Sequence, residues 1–115
     1  MGIVTTVTDK YQNCIDACSE CAQACYECRD ACLKEPDVAN RASCIKSLEE
    51  CSMICQQAVP FMSMDAPHAK DLCNLCEDIC NTCANDCEMF SDPHCQQCAD
   101  ICRTCAGECH TMHLS

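Results

Sequence analysis

The spacing of the cysteines constrains this chain more than any other feature of its sequence. The chain has 115 residues, of which 19 are cysteine. They fall into four groups, and every gap inside a group is three, four or seven residues. This spacing places the thiols along one stripe of an α-helix and is typical of residues that face partner helices. The pattern therefore predicts helices whose buried faces carry sulfur where leucine is usual.

Short segments that contain proline separate the four groups of cysteines. These segments are KEPDVAN (34–40), VPFMSMDAP (59–67) and FSDP (90–93). Helices are predicted between them, at roughly 9–34, 38–62, 67–90 and 93–112. Since proline disrupts a helix interior, we expect the second helix to kink or end at Pro60. Connections this short join antiparallel neighbours, so the predicted fold class is all-α, an antiparallel up-down-up-down four-helix bundle with a Cys-lined core in a single domain.

Charge and the N-terminal sequence narrow the functional classes. The formal charge of −11, from 7 basic and 18 acidic residues, repels nucleic acid and anionic lipid and predicts cationic partners. No stretch approaches the roughly 18 apolar residues of a membrane span. The N-terminal MGIVTTVTDKYQN lacks the basic region, apolar stretch and cleavage site of a signal peptide. We therefore expect a cytoplasmic protein with reduced thiols and with no nucleic-acid or membrane partner.

Disulfides and redox catalysis account poorly for the cysteines. Residues three or four apart on a helix have Cβ atoms about 5–6 Å apart, whereas a disulfide needs about 3.5–4.5 Å. A thioredoxin-like site uses one CxxC pair in a βαβ context, but this chain has six such pairs and no predicted strand. No Ser/His/Asp set, phosphate loop or cofactor motif appears, so an enzyme is not predicted. A thiol redox sensor stays open as an alternative.

Metal binding accounts best for so many thiols at this spacing. Soft thiolates favour Cu(I), zinc or iron–sulfur clusters. A continuous helix does not wrap a cluster as the ligands of iron–sulfur sites do, and a structural zinc needs only one closed tetrahedron. Cu(I) fits better, because CxxxC pairs offer two sulfurs and charge balance is approached at on the order of one Cu(I) per thiolate. A zinc or general soft-metal buffer of metallothionein type is the open alternative.

Helices filled with CxxxC and CxxC repeats resemble the bacterial copper storage proteins, and the missing export signal resembles the cytosolic branch of that family. The resemblance extends over essentially the whole chain. It implies a bundle that stores many Cu(I) ions by thiolate ligation, prevents copper toxicity and assembles as a homotetramer. It also implies that the following residues are Cu(I) ligands: Cys14, Cys18, Cys21, Cys25, Cys28, Cys32, Cys44, Cys51, Cys55, Cys73, Cys76, Cys80, Cys83, Cys87, Cys95, Cys98, Cys102, Cys105 and Cys109.

Antiparallel topology gathers histidine and methionine residues at one end of the bundle. The resemblance implies that copper enters through such an end, and we expect His110, Met112 and His113 to form a soft entry relay. The alternative is that they are solvated residues on a frayed C-terminus. His94, at the opposite end beside Cys95, is expected to be a solvated residue of the first helical turn. Acidic residues at positions off the cysteine stripe form a predicted solvated outer face, which would also attract a basic copper chaperone.

Overall fold

Long amphipathic α-helices make up most of the protein. The structure is a computed structural model that describes residues 2–115. The helices are α1 (Gln12–Leu33), α2 (Ala42–Ser63), α3 (Ala69–Glu88) and α4 (Pro93–Leu114). Short 3₁₀ turns at Asp9–Tyr11 and Val38–Arg41 lead into α1 and α2. None of the helices in the described part of the chain is both long and apolar enough to cross a membrane.

The second helix continues through its proline. Pro60 lies inside α2, which ends at Ser63. Because Pro60 is within the last turn, the helix loses only one backbone hydrogen bond near its C-terminal end. Val59 and Phe61 pack against the core, and Met62 is fully buried. Packing thus holds this turn helical, and the helix does not end at Pro60.

The helices pack around one elongated core. Each helix packs against the next along the chain, and α1 also packs against α4. This is the up-down-up-down arrangement, and the all-α four-helix bundle is confirmed. The molecule measures 47 × 23 × 17 Å. Its interior contains every cysteine, with Leu48 and Met62 as the largest fully buried side chains. Few large aliphatic groups share the core with sulfur, so conventional hydrophobic burial contributes less than in a leucine-filled bundle.

The two ends of the bundle differ in chemistry. One end contains the start of α1 and α3 and the end of α2 and α4, and is called the His/Met end because His110, Met112 and His113 lie there. The other contains the end of α1 and α3 and the start of α2 and α4. It is called the Arg41 end, after the buried arginine that precedes α2.

Candidate metal centre

The cysteine side chains form a continuous column along the bundle. All are buried, at most 2% exposed, and all are free thiols in the described residues. At the His/Met end the Sγ atoms of Cys14 and Cys109 are 3.6 Å apart. At the Arg41 end those of Cys32 and Cys95 are 3.8 Å apart. Sulfurs between these ends are separated by similar distances of 3.6–3.9 Å, so the column offers soft donors along its whole length.

Most of the thiol contacts join different helices. Cys51 of α2 lies 3.8 Å from the Sγ of Cys21 in α1 and 3.6 Å from that of Cys80 in α3. Within α3, the Sγ atoms of Cys76 and Cys80 are 3.8 Å apart. The sequence grouped the thiols into CxxxC pairs on one helix, but most neighbours in space come from facing helices. The reason is that each stripe of thiols points into the core, where it meets the stripes of other helices.

Several sets of thiols are close enough to share a metal ion. Within each set the ligand atoms all lie within 4.8 Å of one another. The sets include Cys18/Cys76/Cys105/Cys109, Cys21/Cys55/Cys80/Cys105 and Cys21/Cys25/Cys51/Cys102. Since Cys21 and Cys105 each belong to two of these sets, metal ions bound in neighbouring sets would share bridging thiolates. This arrangement suits a chain of soft metal ions better than a series of isolated sites.

Many thiols of the column have a raised pKa and hold their protons strongly. Hydrogen bonds among the sulfurs, together with burial, raise the pKa of Cys18 and Cys55. Burial raises the pKa of the Cys95 thiol to about 12. Hydrogen bonds from neighbouring thiols, Cys102 first, lower the pKa of Cys21. A metal that binds as a thiolate complex must therefore displace the protons of the raised groups, and acid opposes its binding.

The predicted entry residues lie together at the His/Met end. Nδ1 of His110 is 2.9 Å and Nε2 of His113 is 2.6 Å from the carboxylate oxygens of Glu77. The two imidazole rings meet edge to face, with centroids 5.4 Å apart, and Met112 packs against the core. His110 is exposed, but the side chain of His113 is only 18% exposed. Glu77 of α3 thus contacts both rings, and α4 extends to Leu114.

His94 lies against the thiol column at the Arg41 end. Its side chain is 26% exposed, and its Nδ1 is 3.5 Å from the Sγ of both Cys28 and Cys95. Its Nε2 is 3.3 Å from Oε1 of Glu35. The prediction of a solvated first-turn residue is therefore wrong. The signal that it missed is that His94 precedes Cys98 by four residues and so shares its helix face.

Arg41 closes the same end of the column and was not singled out by the sequence. It is 4% exposed, and its Nη1 donates to the Sγ atoms of Cys32 and Cys95, each at 3.6 Å. Its Nε and Nη2 pair with Asp37 and Asp92 at 2.7 and 2.6 Å. These carboxylates, Asp37 most, raise the pKa of the guanidinium and keep it charged. The missed signal is register, because Arg41 stands three residues before the first cysteine of α2, on the cysteine stripe.

This protein is a four-helix bundle around a column of free thiols, and so falls into the class of helix bundles that bind metal ions through thiolates. The family model for copper storage proteins matches residues 7–114 of this chain. The match covers almost the whole length and includes every cysteine. The chain belongs to the copper storage protein family.

Known proteins and structures agree with that assignment. The Cu(I)-bound copper storage protein BsCsp3 is 40% identical, with a TM-score of 0.87 over 90% of this chain and 98% of that one. A cytosolic copper storage protein from Streptomyces lividans, with five coppers, is 30% identical, with a TM-score of 0.90 over 94% of this chain and 95% of that one. The uncharacterized cysteine-rich protein YhjQ of Bacillus subtilis (strain 168) is 42% identical over 82 residues, 71% of this chain and 76% of that protein.

Proposed function

We propose that this protein stores and sequesters many Cu(I) ions on thiolates inside its helix bundle. The observation that carries the proposal is the column of buried free thiols, whose neighbouring sulfurs lie 3.6–3.9 Å apart. Such a column matches soft Cu(I), whereas hard cations require oxygen ligands. The chain acts in a storage role and not as an enzyme, with residues 1–115 as a single domain. Membership of the family and the Cu(I)-bound relative support this function.

All the cysteines are proposed as ligands. A buried thiolate without a counter-ion is very costly, so the column cannot hold many thiolates unless cations enter with them. On the order of one Cu(I) per thiolate balances the charge. Because ligand sets overlap along the column, each added ion finds sulfurs already in place. Capacity therefore follows the number of thiols instead of the number of separate sites.

A competition titration tests storage. The fully reduced protein is titrated anaerobically with Cu(I) against a chromophoric Cu(I) chelator, with and without excess zinc. We expect the protein to withhold copper until about one ion per thiol has bound, with little effect of zinc. Saturation after a few ions, or displacement of copper by zinc, would contradict storage. As a control, Cys51→Ser should lower the capacity by only about one ion, since storage uses the thiols as a set.

We also propose that copper enters through the His/Met end, by way of His110, Met112 and His113. Both histidines are held at the bundle end by Glu77, and Met112 borders the core. The double variant with His110→Ala and His113→Ala should take up Cu(I) several-fold more slowly in stopped-flow measurements but reach the same capacity. His68→Ala is the matched control, because His68 is an exposed histidine of the same end that pairs with Asp71. An unchanged uptake rate in the double variant would rule out the relay.

The cellular setting and partners complete the proposal. Reduced thiols require a reducing compartment, and we place the protein in the cytoplasm, as for the cytosolic relative from Streptomyces lividans. The family resemblance implies a homotetramer. A net charge of −11 would favour encounter with a basic copper chaperone, since complementary charge speeds association.

A further inference from the structure

A layer of side chains other than cysteine covers the thiol column at the His/Met end. The outermost thiols there are those of Cys14, Cys73 and Cys109, and each is 0% exposed. The next residues outward along the four cysteine stripes are Tyr11, Met62, Ala69 and Met112. The ring of Tyr11 is the largest of these side chains, and this residue is only 2% exposed. Its hydroxyl interacts electrostatically with the Cys73 thiol, so the ring lies beside the outermost sulfurs.

The segment that joins α2 to α3 contacts the Tyr11 ring. Burial, and a hydrogen bond between the Tyr11 hydroxyl and the Asp65 carboxylate, raise the pKa of Tyr11 above its usual value of 10.0. The hydroxyl therefore keeps its proton at neutral pH and donates it to the carboxylate. Nζ of Lys10 is 3.6 Å from Oδ1 of Asp65 and 5.1 Å from the centroid of the Tyr11 ring. Asp65 thus ties the start of α1 to the end of α2.

Asp65 has a backbone conformation that favours glycine. Its φ of 47° is the only positive φ among the described residues. Its N–H donates to the carbonyl of Met62 at 3.1 Å. The N–H of Ala66 donates to the carbonyl of Phe61 at 2.9 Å, which completes the Schellman motif that ends many helices, usually with glycine at the left-handed position. The turn itself needs no carboxylate, so the contacts of this side chain with the start of α1 are what distinguish it from glycine.

Tyr11 can move with less loss of structure than the other large covering group. Met62 belongs to the last turn of α2 and is 0% exposed. Tyr11 instead ends the 3₁₀ turn Asp9–Tyr11, and its N–H donates to the carbonyl of Thr8 at 2.9 Å. Because hydrogen bonds in 3₁₀ turns have poorer geometry than those of an α-helix, this turn is the weaker part of the cover. Its contact with Asp65 compensates for that weakness.

We propose that Tyr11 closes the thiol column at the His/Met end and that Asp65 holds it closed. When the hydroxyl leaves the carboxylate, the ring swings outward and uncovers Cys14, Cys73 and Cys109. The consequence for copper rests on the proposed entry of Cu(I) at this end: the closed ring slows both the uptake of copper and its loss.

Alkylation of the reduced apoprotein tests the closure without copper. Iodoacetamide is added anaerobically and the modified cysteines are located by peptide mass mapping. Asp65→Gly removes the carboxylate but supplies the residue that the left-handed position favours, so the circular dichroism of the variant should be unchanged. The outermost thiols of the His/Met end should react about fivefold faster or more than in the unaltered protein, because a hydrogen bond to a charged group is lost. Cys32 and Cys95, at the Arg41 end, should react at an unchanged rate.

A second variant and a matched control isolate the hydrogen bond. Tyr11→Phe keeps the ring and its packing but removes the hydroxyl, so it should speed the same reactions to a similar degree. Combining it with Asp65→Gly should add little, because both changes break one contact. Tyr26→Phe is the control: this hydroxyl donates to Oε1 of Gln56 at 2.6 Å, between α1 and α2, and its loss should leave the alkylation unchanged.

The outcomes separate this closure from the proposed copper chemistry. Unchanged alkylation in Asp65→Gly or in Tyr11→Phe overturns the closure, and so does equal acceleration at both ends of the column, which reports general loosening of the bundle. Faster uptake of Cu(I) by Asp65→Gly in stopped flow, at unchanged capacity, supports both proposals. Faster alkylation without faster uptake supports the closure and contradicts copper entry at this end. Failure of storage itself would be seen as a low Cu(I) capacity of the unaltered protein against the chelator.

Discussion

Loading the reduced protein with Cu(I) is expected to raise its melting temperature by about 15 °C or more. A ligand that binds the folded state at a thousand times its Kd contributes about 4 kcal/mol, and each kcal/mol shifts a domain of this size by about 4 °C. Large aliphatic side chains are scarce in the core, so hydrophobic burial stabilises the apoprotein only modestly. Thiols of the unfolded chain also bind copper, which reduces the gain but does not cancel it.

Differential scanning calorimetry under anaerobic conditions measures this shift. The apoprotein is kept in a reductant that does not bind copper strongly, and the loaded protein is compared at the same concentration. Mg²⁺ is the control ion, because a hard cation finds no oxygen ligands in the thiol column and should leave the melting temperature unchanged. Equal melting temperatures of apo and Cu(I)-loaded protein would refute a stabilising metal core.

Replacing Arg41 with alanine is expected to destabilise the apoprotein by about 3 kcal/mol. The buried guanidinium pairs with Asp37 and Asp92, lies 4.4 Å from the centroid of the Phe90 ring and donates to two core sulfurs. Its loss leaves a cavity, and Asp92 loses its ion pair although its side chain is only 25% exposed. The cost is at the low end for a buried pair, because Asp37 is 45% exposed and can be solvated.

Denaturant unfolding with a matched variant measures this effect. Arg29 also pairs with a carboxylate, Glu49, at 2.7 Å, but both side chains are about two-fifths exposed, at 40% and 42%. Arg29→Ala should therefore cost less than about 1 kcal/mol. Arg41→Lys should recover part of the stability, since it keeps the charge but not the planar fork that reaches both carboxylates. If Arg41→Ala and Arg29→Ala cost the same, Arg41 does not clamp the end of the column.

The architecture could be predicted from the sequence because it follows from one pattern, the spacing of the cysteines. Cysteines three, four and seven apart share a helix face whatever surrounds them, and the short connections leave only antiparallel neighbours. The effect of Pro60 was predicted less well, because α2 continues through it to Ser63. A proline is costly inside a helix, but within the last turn it removes little, and burial of Met62 outweighs that loss. Local propensity therefore yielded to packing at this one position.

The residues at the two ends of the column were predicted from the sequence only in part. His110 and His113 were placed together at one end, and the structure brings them onto Glu77. His94 was assigned to solvent because it sits at a helix start, yet its half-buried ring meets Cys28 and Cys95. A residue in the first turn can face solvent or the core, and the choice depends on which helix lies opposite.

By itself, the sequence determined that this protein is a bundle of helices with sulfur inside, because the helical period puts every cysteine on a stripe that must be buried. It did not determine which thiols are neighbours. Contacts such as Cys14 with Cys109, or Arg41 with Cys32 and Cys95, depend on how facing helices are rotated and offset along their axes. The spacing of residues within one helix does not specify the offset between facing helices. Only the tertiary structure therefore decided which thiols of the column are neighbours and how its Arg41 end is closed.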